Sequence, residues 1–460
     1  MMKYFLPIFL LFFVTISFAD DFDIFNEIEV KEPKTVETKD KKFTDILFSG
    51  MDFNLVFKYY HFLSNFEDKT GEKDKRKDFA NIMFEPKLKY SIKNTIFNFR
   101  GWLEYGNEKD TYKGIGDEFT DNSRYRRYAQ LAEINTISSF GNLELTLGKK
   151  VIRVGVSSLY SPADRFKVVE GNDPIDLKEI GLWQIRTDYF QKNTSYTFVF
   201  LPAYNESKVP SEVTRWSGET DNESSSTEFN GVSEKDINKE IVNVTPKNFS
   251  YLGRVKTTLK GWDLFLSAYY GVSPYSVLKK DQDNSNKYYR EHPMIISSSA
   301  GFSTTYKKFE FHGEGYTQHS PQGKDDDFFN YVLGSTYTLD EWVQYIWLDR
   351  IDATIEYAGE LVINKQYAEY YERSSQDQRG GRNNILGRFN AKVNEKLNFE
   401  WYFTRSFDDS GYMHHYGAIY KFNKGINVKA FFDFFDGPKD SYYGRWRKND
   451  RFMTFVEYKF

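Results

Sequence analysis

From Thr44 onward, apolar and polar side chains alternate with period two, the spacing that puts successive residues on opposite faces of a β-strand. Leu397, Phe399, Trp401 and Phe403 alternate with Asn398, Glu400 and Tyr402, and Leu143, Leu145 and Leu147 with Asn142, Glu144 and Thr146. Ile351, Ala353, Ile355 and Tyr357 stand against Arg350, Asp352, Thr354 and Glu356. Val428, Ala430, Phe432 and Phe434 stand against Asn427, Lys429, Phe431 and Asp433. Period alone fits two arrangements: a two-sheet sandwich with its apolar faces inside, or a membrane barrel with them outside.

The connections decide between them. Tight turns are expected near Lys93 and Asn94, Phe140 and Gly141, Gln191 and Lys192, Lys260 and Gly261, Lys307 and Lys308, Glu395 and Lys396, and Asn423 and Lys424, with a slightly longer one near Asp340 and Glu341. Long polar loops fall between them, at 64–78, 107–123, 152–180, 203–248, 273–292, 319–326, 359–382, 407–411 and 436–449. Regular exchange of short and long connections predicts an all-β fold, a transmembrane up-and-down antiparallel barrel of about 18 strands, with 16 acceptable. The short turns belong to the periplasmic rim and the long loops to the outside. The barrel occupies 45–460 and ends in an alternating strand, Phe452, Thr454, Val456, Tyr458 and Phe460, which resembles the recognition signal of the outer-membrane assembly machinery. Pro86 interrupts the strand 80–90, and a closed barrel has no edge to hide a missing N–H, so a bulge is expected there.

Composition sharpens this picture. Aromatic residues make up 18% of the chain, with 43 Phe and 34 Tyr, more than a soluble core requires and the kind of residue that crowds a membrane interface. The N-terminus carries Lys3, an apolar run from Tyr4 to Phe18 and then Ala19 before Asp20, so residues 1–19 read as a cleavable signal peptide for export to the cell outer membrane. Residues 20–44 are charged in both signs, contain Pro33 and read as a flexible periplasmic lead-in too short for a plug domain. The absence of cysteine excludes disulfides and thiolate chemistry, and a net charge of -4 gives nucleic acid no electrostatic attraction.

With apolar faces toward lipid and lipopolysaccharide, the opposite faces nominate the pore lining. The cations are Arg100, Lys150, Arg186, Arg254, Arg350 and Arg388, and the acids Glu104, Glu144, Asp188, Asp352, Glu356 and Glu400. Facing charges of opposite sign make a wet lumen with a transverse field, which suits small polar solutes. Each of these residues is equally open to a plainer reading, charge that only solvates a barrel interior.

One segment carries more. Leu147-Gly148-Lys149-Lys150, Ile152, Gly155, Ser161-Pro162-Ala163-Asp164-Arg165, Asp176-Leu177-Lys178-Glu179 and Arg186-Thr187-Asp188-Tyr189 resemble the shared core of a family of bacterial outer-membrane barrels allied to the alginate-export porins. Val154 stands where that family has Trp, and Lys149 and Lys178 replace Arg. The resemblance implies that loop 152–180 folds toward the lumen, where Arg153, Asp164, Arg165 and Lys167 would join Lys150 at a constriction. Lysine keeps the charge but loses the bidentate grip on carboxylates, which argues against alginate itself as cargo. An extracellular lid or a wall brace are the other uses for such a loop.

Other chemistry is sparse. His319 and Ser320 are adjacent, so on a strand they point to opposite faces, and only the following Pro321 would allow a turn to join them. Asp325, Asp326 and Asp327 form an acidic tip that could take a divalent cation but more often is simply solvated. Residues 217–240 are rich in Ser and Glu and read as a flexible loop. The expectation is a passive channel for small polar solutes, anions included, with no cofactor, no metal and no chemical step. A sealed or gated barrel, serving surface interaction or specific export, is the alternative, and an outer-membrane lipid enzyme the remote one.

Overall fold

The computed structural model describes residues 50–460 apart from 67–72, 110–113, 116–124, 219–227, 230–231, 234–235, 240–241, 284–285 and 423. The expected leader 1–19 and lead-in 20–44 lie outside the described residues, as does most of the Ser- and Glu-rich stretch 217–240.

Eighteen strands form one antiparallel sheet that closes on itself. In chain order they are β1 (Met51–Phe62), β2 (Asp78–Ile92), β3 (Thr95–Gly106), β4 (Ala129–Phe140), β5 (Leu143–Lys150), β6 (Leu182–Gln191), β7 (Thr194–Leu201), β8 (Ser250–Leu259) and β9 (Trp262–Val272). The second half comprises β10 (Met294–Tyr306), β11 (Phe309–His319), β12 (Asp327–Leu339), β13 (Arg350–Asn364), β14 (Asn383–Lys392), β15 (Leu397–Ser406), β16 (Tyr412–Lys421), β17 (Ile426–Asp436) and β18 (Arg451–Lys459). Each pairs with its chain neighbours, and β1 pairs with β18 from Asn54 opposite Lys459 to Phe62 opposite Arg451. At the seam Phe53 and Phe460 exchange both backbone hydrogen bonds at 3.0 Å, with their rings stacked.

Side-chain alternation separates the two faces. Outward positions such as Phe57, Leu103, Phe198, Leu266, Leu333 and Val456 are apolar and exposed, whereas inward positions such as Lys58, Glu104, Asp188, Ser267, Thr354 and Glu457 are polar and buried. A soluble sandwich would show the reverse. No helix among the described residues is long and apolar enough to cross a membrane, which says nothing about crossing by strands.

Eight connections at one end are short, and two-residue turns occupy 141–142 and 192–193, each one residue later than the pattern suggested. The connection after β12 instead holds a 3-10 turn, Trp342–Ile346, that exposes Trp342, Tyr345 and Trp347. The nine long loops rise from the other end, and β13 runs on to Asn364, so the loop expected from 359 begins six residues later. Short strands Ile237–Lys239, Tyr288–Glu291, Val277–Lys280 and Tyr371–Arg373 tie three of these loops into a small sheet.

The bulge expected at Pro86 is absent. The β2–β3 register is the same on either side, Phe84 opposite Leu103 and Lys87 opposite Arg100, and pairing merely lapses at 85–86. Phe53, opposite Pro86, spends its own N–H and C=O on Phe460, so the missing N–H would have pointed to β3, where the ladder is open. The extra residue lies one strand over, at Ala132: Arg100 faces Glu133 and Gly101 faces Leu131.

Candidate functional site

The inward faces and loop 151–181 form one polar and apolar assembly inside the barrel. Two residues before β5 ends stands Gly148, whose φ of +122° is open only to glycine and where a Cβ would sit 2.3 Å from the Ile134 carbonyl oxygen. Val151 N–H donates to Glu133 at 2.9 Å, and Ile152 and Val154 are buried.

Two carboxylates from distant strands then hold the next turns of the loop. Glu314 on β11 accepts from the Val156 and Ser157 N–H groups on one oxygen, and from Ser161 Oγ (2.7 Å) and Ala163 N–H on the other. Glu356 on β13 accepts from Ser158 and Leu159 N–H, both at 2.9 Å, and from Tyr160 N–H at 2.9 Å. His312 on β11 completes Glu356 at 2.9 Å. Three successive loop N–H groups thus converge on one charged acceptor, where each bond is charge-assisted. Gly155 allows the approach, since a Cβ there would meet Ser161 Oγ at 2.0 Å and Glu314 at 2.5 Å.

The rest of the loop reaches other walls. Arg153 and Lys167 both pair with Glu179, whose carbonyl accepts from Arg100 at 2.8 Å, and Lys178 pairs with Glu104 on β3 at 2.6 Å. Asp176 accepts from Lys58 on β1, and Asp173 from Arg451 on β18. Burial alone would raise the Asp176 carboxyl, but Lys58 and Lys178 outweigh it and hold the group well below the usual carboxylate range. Burial pushes the Tyr160 hydroxyl up to about 12 against the opposing pull of Arg165. Apolar packing fills the gaps: Phe166 lies 4.1 Å from Tyr269, and Val154, Ala163, Val168 and Ile180 join wall residues Trp102, Leu252, Tyr316 and Phe328 in one buried cluster.

The residues expected to line a pore divide into three groups. Arg100, Lys150, Arg186, Arg254, Arg388, Glu104, Glu144, Asp188 and Glu356 share the inward parity of their strands. Glu104 and Glu356, however, are covered by the loop, 3% and 0% exposed. Arg165 differs most from expectation: its guanidinium packs over the Tyr275, Tyr316 and Phe328 rings and donates to Asn330, so it is enclosed in aromatic packing. Arg350 stands at the tight-turn rim, half exposed and paired with Asp352. Around the remaining interior, Arg186 bridges to Asp188 at 2.6 Å, Glu144 accepts from Ser139 and Glu400 meets His415 at 3.4 Å. The side chains of Lys150 and Arg388 make neither a hydrogen bond nor an ion pair among the described residues.

Asp325 and Asp326 are not a solvated tip. Both are buried, Asp325 taking Ser375 N–H and Asp326 taking Arg379, which also grips Glu360 at 2.9 Å. Among the described residues no group of His, Cys, Asp and Glu has metal-binding geometry. His319 and Ser320 both turn to Asp327, the ring at 3.0 Å and the Ser320 N–H at 2.7 Å. Sequence reasoning missed Glu314, Lys58, Asp173 and Arg451. Parity alone would have placed Glu314 inside, in line with His312 and Tyr316, but nothing local announces that a loop 150 residues upstream will reach it.

No family model and no curated protein matches the sequence. Among solved structures, the chain is similar to Pseudomonas aeruginosa OccK8 (OprE), with a TM-score of 0.50 and 12% identity over 89% of this chain and 98% of that one. It also aligns with Pseudomonas aeruginosa OccK11 (OpdR), TM-score 0.47 and 9% identity over 89% and 95%, and with Acinetobacter baumannii OccAB1, TM-score 0.45 and 10% identity over 89% and 96%. At such identities the likeness to OccK8 speaks to the fold, a closed outward-apolar barrel.

Proposed function

We propose that the chain is an outer-membrane channel for passive passage of small polar solutes, with loop 151–181 as its constriction. The observation that carries this reading is the pairing of an apolar exposed outer wall with an inner wall on which the named carboxylates are already bonded while Lys150 and Arg388 are not. Such a lumen offers passing solutes free positive charge, so anions are favoured over cations. Single-channel recording of the refolded chain in a planar bilayer tests it. Stable steps with anion preference are expected, and Lys150→Glu with Arg388→Glu should shift that preference toward cations. A chain that inserts but never conducts would sink the reading.

Kinship to the alginate-export porins rests on residues 147–189 alone, and the lysines at 149 and 178 keep alginate out of the proposal. A gated barrel is the second reading, favoured by one feature: the apolar cluster around Phe166 lies across the interior, where an open pore would be polar.

A further inference from the structure

Five of the eight short connections carry a lysine in the left-handed region: Lys93 (φ +49°), Lys192 (+53°), Lys260 (+50°), Lys307 (+56°) and Lys424 (+69°). Asn or Gly takes this conformation at lower cost, so turn geometry does not account for lysine. All five are exposed. Lys93, Lys192, Lys260 and Lys424 make no hydrogen bond or ion pair among the described residues, and Lys307 lies over the Tyr306 ring. The acids of the neighbouring connection do not neutralise the set, because Asp340 and Glu341 are both taken by Lys308.

The five turns join β2 to β3, β6 to β7, β8 to β9, β10 to β11 and β16 to β17, and so are spread around the rim. Each stands close to exposed apolar or aromatic side chains on the outer wall: Ile92, Tyr189, Leu259, Trp262, Tyr306 and Phe422. Such residues settle at the boundary between hydrocarbon and headgroups. A lysine one to three positions beyond them stands at the level of the lipid phosphates.

We propose that these lysines form a cationic ring that binds the phosphates of anionic phospholipids in the periplasmic leaflet. The ring rests on the membrane-spanning reading, and the experiment separates the two. The native chain and a variant carrying Lys93→Asn, Lys192→Asn, Lys260→Asn, Lys307→Asn and Lys424→Asn are refolded into phosphatidylcholine vesicles with and without phosphatidylglycerol, and melting is followed at low and high salt. Asn suits the left-handed turn, so the variant should fold at least as well as the native chain. Phosphatidylglycerol should raise the native melting temperature in a salt-sensitive way, and the variant should lose about half of that rise or more. An equal rise in both chains, or none in the native chain, overturns the ring. Failure of both chains to insert in either lipid would instead overturn the membrane reading and the ring with it. Conductance in pure phosphatidylcholine should be the same for both.

Discussion

At the scale of single residues, the interior is a set of charges whose value depends on their partners. Asp176 illustrates this. Its lowered pKa means that its contribution to stability is complete above the ordinary carboxyl value of about 3.9 and disappears only as pH falls through the lower folded value. Hydrogen-exchange protection of residues 171–180, corrected for intrinsic rates, should therefore be unchanged between neutral pH and about pH 5. Asp176→Asn should loosen the segment throughout that range, where the wild-type carboxylate is ionised. The site was only partly legible at this scale. Arg100, Lys150, Arg186, Arg254 and Arg388 share the inward parity of their strands, a property readable in advance because a strand has only two faces. Parity could not foresee that Arg165 would be enclosed by rings, since loop side chains follow no period.

At the scale of elements, the strands were legible because their signal is local and repeated. Alternation and turn residues located eighteen strands, with two turns displaced by one residue and β13 extended to Asn364. What escaped was irregularity. Pro86 announced a defect, but its form depended on which neighbour the absent N–H faced, and the real bulge at Ala132 has no proline or glycine on its own strand to mark it, only Gly101 across the ladder. Restoring the donor gives a direct check: Pro86→Val should close the β2–β3 ladder and stabilise the barrel by about 0.5–1.5 kcal/mol, read as a higher urea midpoint at unchanged slope. An unchanged midpoint would mean that the gap at 85–86 is held open by something other than the proline.

At the scale of the whole molecule, the wall and the loop are one structure, since Glu314 and Glu356 give the loop its only charged acceptors on β11 and β13 among the described residues. Glu314→Ala with Glu356→Ala leaves several loop N–H groups without acceptors, each worth about 1–3 kcal/mol if it stays buried. The loop should therefore detach from the wall. Proteolysis within 152–163 should become fast while the barrel stays resistant, and conductance per channel should rise. A variant with a detached loop and native conductance would show that the passage runs elsewhere.

The same two glutamates bear on the order of assembly. Ser157 and Glu314 are 157 residues apart in sequence, and Tyr160 and Glu356 are 196 apart. Loop closure over such distances is slow compared with forming a hairpin between adjacent strands. Until β11 and β13 join the sheet, the loop is held by Lys58 on β1 and by Arg100 and Glu104 on β3 but lacks Glu314 and Glu356. Residues 156–163 are thus a part of the loop whose seat waits for partners more than 150 residues away, while Asp176, Lys178 and Glu179 are seated by strands made before it.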